Sequence, residues 1–147
     1  MTELAQGKQI SIIVEVERDL FVSADEEQLQ LILRNLVHNA IKFSMPMGSV
    51  VVTASKNAGY CIISVKDSGL GMNEDEIRTI TGSAIHFSKV GTQQEKGTGL
   101  GLLLCKEFIK LNGGELTIRS KVNEWTEVVF TVPLAAPLMQ PLSPSYS

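Results

Sequence analysis

Cysteine is scarce. Only Cys61 and Cys105 occur in 147 residues, each inside an apolar run, so no disulfide framework is expected and both read as reduced packing residues. Basic excess is missing too: thirteen Lys and Arg stand against sixteen Asp and Glu, for a net charge of -3. A protein that grips nucleic acid through phosphate contacts is normally basic, which excludes that class as a first expectation. Nothing approaches the roughly 20 consecutive apolar residues of a membrane span, and no signal-peptide pattern opens the chain, so no membrane insertion and a cytoplasmic setting are expected. Two common nucleotide signatures are also absent. There is no Gly-x4-Gly-Lys, and Leu104 stands where a dinucleotide fingerprint needs its third glycine.

What is present is ordinary for a globular chain: 44% hydrophobic and 20% charged residues, in a length that suits one domain of roughly 100–200 residues. Apolar periodicity alternates between two and 3.6. Gln9 to Val16 reads as a strand, and Leu20 to Ser23 as a short extended piece. Asp25 reads as an N-cap with Gln28 as its box partner, opening an amphipathic helix to Phe43 that Pro46 and Gly48 end. Strands follow at Ser49 to Ser55 and Tyr60 to Lys66 around an Asn57-Ala58-Gly59 turn, then a short helix from Asn73 to Thr79. Residues 82–96 lack a period and read as a mobile loop. A second long helix is expected from Thr98 to Leu111, stopped by Asn112-Gly113-Gly114, and a hairpin from Glu115 to Ser120 and Glu127 to Val132. The Pro- and Ser-rich residues 134–147 read as a disordered tail behind a domain of residues 1–133. The pattern predicts helices laid on one face of a mixed sheet.

Three short segments carry chemistry. On the first long helix, Asn35, Asn39 and Lys42 fall on one line beside the apolar stripe. Asparagine is a poor helix-interior residue, and a solvent face would more usually carry Glu, Lys or Gln. Two amides and an ammonium facing one place could hold a hydrated divalent cation and a polyphosphate. In the segment 65–71, Asp67 shares strand parity with Cys61, Ile63 and Val65, so a carboxylate is set in register with an apolar face and must find a donor there. Gly69 and Gly71 follow it and permit close backbone approach. Finally Gly97, Thr98, Gly99, Leu100 and Gly101 lead into the second helix, whose free N–H groups and positive dipole end suit an anion.

The order and spacing of NLVHNAIKFS, DSGLGM and EKGTGLGL resemble the N, G1 and G2 boxes of the GHKL ATP-binding family, and within it the catalytic domain of sensor histidine kinases. The resemblance runs from about Ile10 to Pro133. It implies a Bergerat fold, an α/β two-layer sandwich with a mixed, mostly antiparallel sheet and helices on one face. It also implies ATP and Mg²⁺ as ligands, held under a lid formed by residues 72–96. Asn39 would be the side-chain ligand of Mg²⁺, supported by Asn35; Lys42 would neutralise phosphate charge, and Phe43 would line the adenine. Asp67 would accept from the adenine amino group, with Gly69 and Gly71 close to the base. The run from Gly97 to Gly101 would border the phosphates, and Lys89 and Lys96 would be lid cations. Two positions depart from the family pattern: Ala84 stands at the first position of a Phe-x-x-Phe lid pair ending in Phe87, and Trp125-Thr126 replaces Gly-Thr before the last strand.

Hydrolysing relatives carry glutamate at the position of Asn35, where a carboxylate serves as general base for water; an amide cannot take a proton. The resemblance therefore implies phosphoryl transfer rather than hydrolysis. The acceptor would be a histidine on a separate helical dimerisation domain, with a response regulator downstream. Neither His38-Asn39 nor His86-Phe87 has the His-Glu or His-Asp form of such an acceptor, so no catalytic nucleophile is expected in these residues, which read as a fragment of a longer kinase. Two alternatives stand beside this reading: a protein-serine kinase resembling the anti-sigma regulators, and a nucleotide-binding module without catalysis.

Overall fold

A computed structural model describes residues 7–82, 89–90, 96–97 and 100–135. Its framework is a five-stranded sheet made of β1 (Ser11–Val16), β2 (Ser49–Asn57), β3 (Tyr60–Asp67), β6 (Leu116–Lys121) and β7 (Trp125–Pro133), in the order β1-β2-β3-β7-β6. β1 runs parallel to β2, and the other pairs are antiparallel. The sandwich expected from the sequence is therefore present, with α1 (Glu26–Phe43), α2 (Glu74–Gly82) and α3 (Leu100–Leu111) as its helices.

Strand parity builds the core. Val50, Cys61, Ile63, Val65, Phe130, Val132 and Ile118 point to one side of the sheet and meet Ile32, Leu36, Ala40 and Ile41 of α1 with Leu102, Cys105 and Ile109 of α3. Both cysteines are free and buried, as expected of packing residues. β1 lies at the sheet edge and is exposed along its whole length.

The chain starts α1 as its sequence dictates: the Asp25 carboxylate accepts from the Gln28 N–H at 2.9 Å, and Glu26 and Glu27 complement the positive helix end. Asn73 caps α2 with a reciprocal pair, Glu76 N–H to Asn73 Oδ1 at 2.8 Å and Asn73 N–H to Glu76 Oε1 at 3.0 Å. α3 runs antiparallel to α1. Asn112, just past its end, accepts from the Asp25 N–H at 2.8 Å and donates to Gln28 Oε1 at 2.7 Å, while Cys105 reaches the carbonyl of Ile32.

Several boundaries differ from the sequence reading: α2 runs to Gly82 rather than Thr79, β7 starts at Trp125 rather than Glu127, and β1 at Ser11 rather than Gln9. The expected loop 82–96 contains two-residue strands, β4 (Lys89–Val90) and β5 (Lys96–Gly97), which pair antiparallel; the period-two signal is too short to read in so few residues. α3 is described from Leu100, and Thr98, the start expected from the sequence, lies outside the described residues. Leu134 and Ala135, assigned to the tail, are tied to the body: Leu134 donates to the Gly59 carbonyl at 3.0 Å and Ala135 to the Phe21 carbonyl at 2.9 Å. Residues 136–147 lie outside the described residues.

Candidate functional site: a buried carboxylate at a strand end beside two helices

Asp67 is the last residue of β3, and its side chain points to the helix side of the sheet at 7% exposure. The Thr126 N–H donates to its carboxylate, yet Oδ1 is buried with no hydrogen-bond partner among the described residues. Burial pushes this carboxyl up to about 7, with the Thr126 bond pulling the other way. A buried acceptor left open is costly unless something supplies a donor. A neutral N–H of a planar base fits that need.

The loop after Asp67 is bound to the end of α1. Ser44 and Gly69 form a bridge, Leu70 donates to the Phe43 carbonyl at 3.2 Å, and Met45 donates to the Ser68 carbonyl at 3.1 Å. The chain's own packing requires glycine at both positions. A Cβ on Gly69 would run into the Phe43 carbonyl, and one on Gly71, at φ +68°, into the Lys121 carbonyl. The room that these glycines provide is filled by the chain's own backbone, which draws the α1 end and the β6–β7 turn against the Asp67 loop.

Half-buried Phe43 and buried Lys42 end α1 beside this loop, with Lys42 Nζ 5.6 Å from the Phe43 ring centre. Two turns earlier, Asn35 faces α3. A Cβ on Gly101 would lie 3.6 Å from Asn35 Oδ1, and the Asn35 side chain hydrogen-bonds Cys105, whose thiol burial pushes up to about 11. Sequence reasoning missed that contact, because the partner lies 70 residues away and carries no motif of its own. Asn39, half-buried, stands one turn nearer Phe43 on the same line. From Phe43 to Asn35 is roughly 12 Å along the helix axis at about 1.5 Å per residue, which suits an extended nucleoside triphosphate.

The antiparallel set of α1 and α3 brings the N-terminus of α3, opened by Leu100, to this end of the cleft. Lys89, Lys96 and Gly97 belong to the small β4–β5 ladder, while Thr98, Gly99, Ala84, His86 and Phe87 lie outside the described residues. His38 is exposed on α1. Thr126, opposite Asp67 in the ladder, is buried and shares a 2.7 Å bond with Ser120 Oγ. Trp125, the departure beside it, points to the opposite face of the sheet, where Lys66 Nζ sits 4.8 Å from its ring. Its side chain therefore lies on the face of the sheet away from Asp67.

The donor set fits a nucleotide with its cation. No group of three His, Cys, Asp or Glu capable of holding a metal occurs among the described residues. A hard divalent ion that keeps water and phosphate ligands asks the protein for only one or two oxygens, and the amide of Asn39 can supply one.

Residues 24–136 match the family described as histidine kinase-, DNA gyrase B-, and HSP90-like ATPase. The chain is 34% identical over 134 residues to an uncharacterized sensor-like histidine kinase of Rhizobium meliloti, covering 90% of this chain and 26% of that protein. It is 38% identical over 122 residues to the histidine protein kinase DivJ of Caulobacter vibrioides, covering 82% and 20%. Among solved structures, the catalytic domain of histidine kinase ThkA superimposes with a TM-score of 0.75 at 30% identity, covering 90% of this chain and 84% of that one. Full-length ShkA in complex with AMPPNP gives 0.76 at 31% identity, covering 92% and 28%. The chain thus spans about a quarter or less of the length of these two full kinases of Rhizobium and Caulobacter. Sequence, fold and cleft agree, and the chain belongs to the histidine kinase-, DNA gyrase B-, and HSP90-like ATPase family, with sensor histidine kinases as its relatives.

Proposed function

We propose that this chain binds Mg-ATP and donates the γ-phosphoryl group to a histidine on a separate helical dimerisation domain, from which a response regulator takes it. The observation that carries the reading is the open Oδ1 of buried Asp67, 7% exposed at the end of β3. As a carboxylate it accepts the adenine amino hydrogen. Phe43 packs along the base, Lys42 offsets phosphate charge, and Asn35 and Asn39 face the phosphates across from the N-terminus of α3. The run from Gly97 to Gly101 would border the phosphates, with Lys89 and Lys96 as lid cations. Mg²⁺, held on Asn39 and the phosphates, would neutralise charge developing on the transferred group. With an amide at Asn35 there is no base for water, so the phosphoryl group waits for an external nucleophile. The relatives named above are histidine kinases, which favours histidine over serine as acceptor.

Base choice tests the reading. Guanine presents a carbonyl where adenine presents its amino group, and two facing acceptors leave the buried carboxylate unpaired. ATP should bind much more tightly than GTP by calorimetric titration, and Asp67→Ala should weaken ATP by about 1.5–3 kcal/mol. Equal affinities for the two nucleotides would remove Asp67 from the base pocket.

A further inference from the structure

Lys8 is an unusual residue for this fold to bury. It lies ahead of β1, outside every motif read from the sequence, and is only 1% exposed. Its ammonium donates to three main-chain carbonyls, those of Ile41 at 3.2 Å, Lys42 at 2.5 Å and Ser44 at 3.3 Å. A buried cation is tolerated only where acceptors replace its water, and the carbonyl end of a helix supplies both acceptors and negative dipole.

The carbonyls at the end of α1 divide among three donor residues. Ala40 accepts from Ser44 Oγ at 2.7 Å; Ile41, Lys42 and Ser44 are taken by Lys8. The Phe43 carbonyl between them is taken by Leu70 of the Asp67 loop. A helix end leaves four carbonyls without intrahelical partners, so whatever satisfies them fixes where that end sits. The backbone of Lys8 adds to the hold: its carbonyl accepts from Met47 N–H at 2.7 Å, and Ser11 donates to the Gly48 carbonyl at 3.1 Å. Lys8 and the Asp67 loop therefore grip the same turn, the one that carries Lys42 and Phe43, from two sides.

We propose that Lys8 is a positioning residue for the nucleotide cleft, holding Lys42 and Phe43 at the distance from Asp67 that ATP requires. The claim rests on the ATP reading above. Its consequence is that a displacement of residues 7–10 reaches the turn of Lys42 and Phe43 directly, through the Lys8 ammonium. Lys8→Met keeps the buried stem and removes the three bonds. In the 147-residue chain it should weaken ATP about tenfold, within the range usual for coupling between sites, and Lys8→Arg should restore part of the loss. Val132→Ala, a core cavity at the far end of β7 from Thr126, serves as a destabilised control and should keep wild-type ATP affinity. Wild-type affinity in Lys8→Met, or an equal loss in Val132→Ala at matched thermal stability, overturns the proposal. Reciprocity gives a second measurement that needs no variant. Saturating ATP should slow hydrogen exchange of the Lys8 ammonium, followed by its side-chain ¹⁵N resonance in the wild-type chain. Unchanged exchange with ATP bound overturns the proposal equally. Failure of the wild-type chain to bind ATP would instead refute the underlying reading.

Discussion

Among single residues, Asp67 carries the sharpest consequences, because burial lifts its carboxyl to about 7. An acid held above its ordinary value binds its proton more tightly folded than unfolded. Folding then takes up a proton across the window between the ordinary carboxylate value and about 7, so stability falls as pH rises through that window and levels above it. Denaturant midpoints from about pH 5 to about pH 8 should show this slope, and Asp67→Asn should flatten it. ATP should respond in the opposite sense, since the amino group of adenine is best met by the charged form. Its affinity should rise from about pH 6 to about pH 8, with proton release visible as buffer-dependent heat. Asn39 allows a separate test. Asn39→Ala should remove most of the Mg²⁺-dependent gain in ATP-analogue binding while far-ultraviolet circular dichroism stays native. An unchanged gain would take Asn39 off the metal.

Among elements, α1 explains why so much was legible beforehand. Its cap, its apolar stripe and its polar line of Asn35, Asn39 and Lys42 are all local patterns, written within one stretch and readable at 3.6 residues per turn. Asp25→Ala should cost about 1 kcal/mol of stability by loss of the cap, measured by chemical denaturation, while ATP affinity stays near wild type because the cap is remote from the cleft. The parity of β3 likewise announced that Asp67 faces the core. What stayed hidden is non-local. The clamp of Lys8 on α1 spans 33 to 36 residues, the Asn35–Cys105 contact spans two helices, and the backbone crowding at Gly69 and Gly71 depends on chain segments far away in sequence. The β4–β5 ladder escaped because two residues carry no period.

For the molecule as a whole, the proposed function separates holding a phosphoryl donor from supplying its acceptor. Phosphoryl transfer needs mainly positioning and charge neutralisation, and the nucleophile can arrive on another domain. The purified chain should bind Mg-ATP yet hydrolyse it very slowly. Supplied with the helical domain that carries its acceptor histidine, it should place acid-labile phosphate there, and Asn39→Ala should prevent the labelling. Acid-stable phosphate would point to serine, and rapid hydrolysis by the chain alone would contradict the role given to Asn35.

Trp125 gives the cleft an optical consequence. It is the single tryptophan of the chain, set on the outer face of the sheet under the Lys66 ammonium, while its neighbour Thr126 touches Asp67 on the inner face. A fluorophore therefore stands back to back with the proposed base pocket, one peptide unit from the residue that touches Asp67. If adenine presses against β7 as proposed, its binding should change the Trp125 emission, so occupancy should be readable in the unlabelled protein.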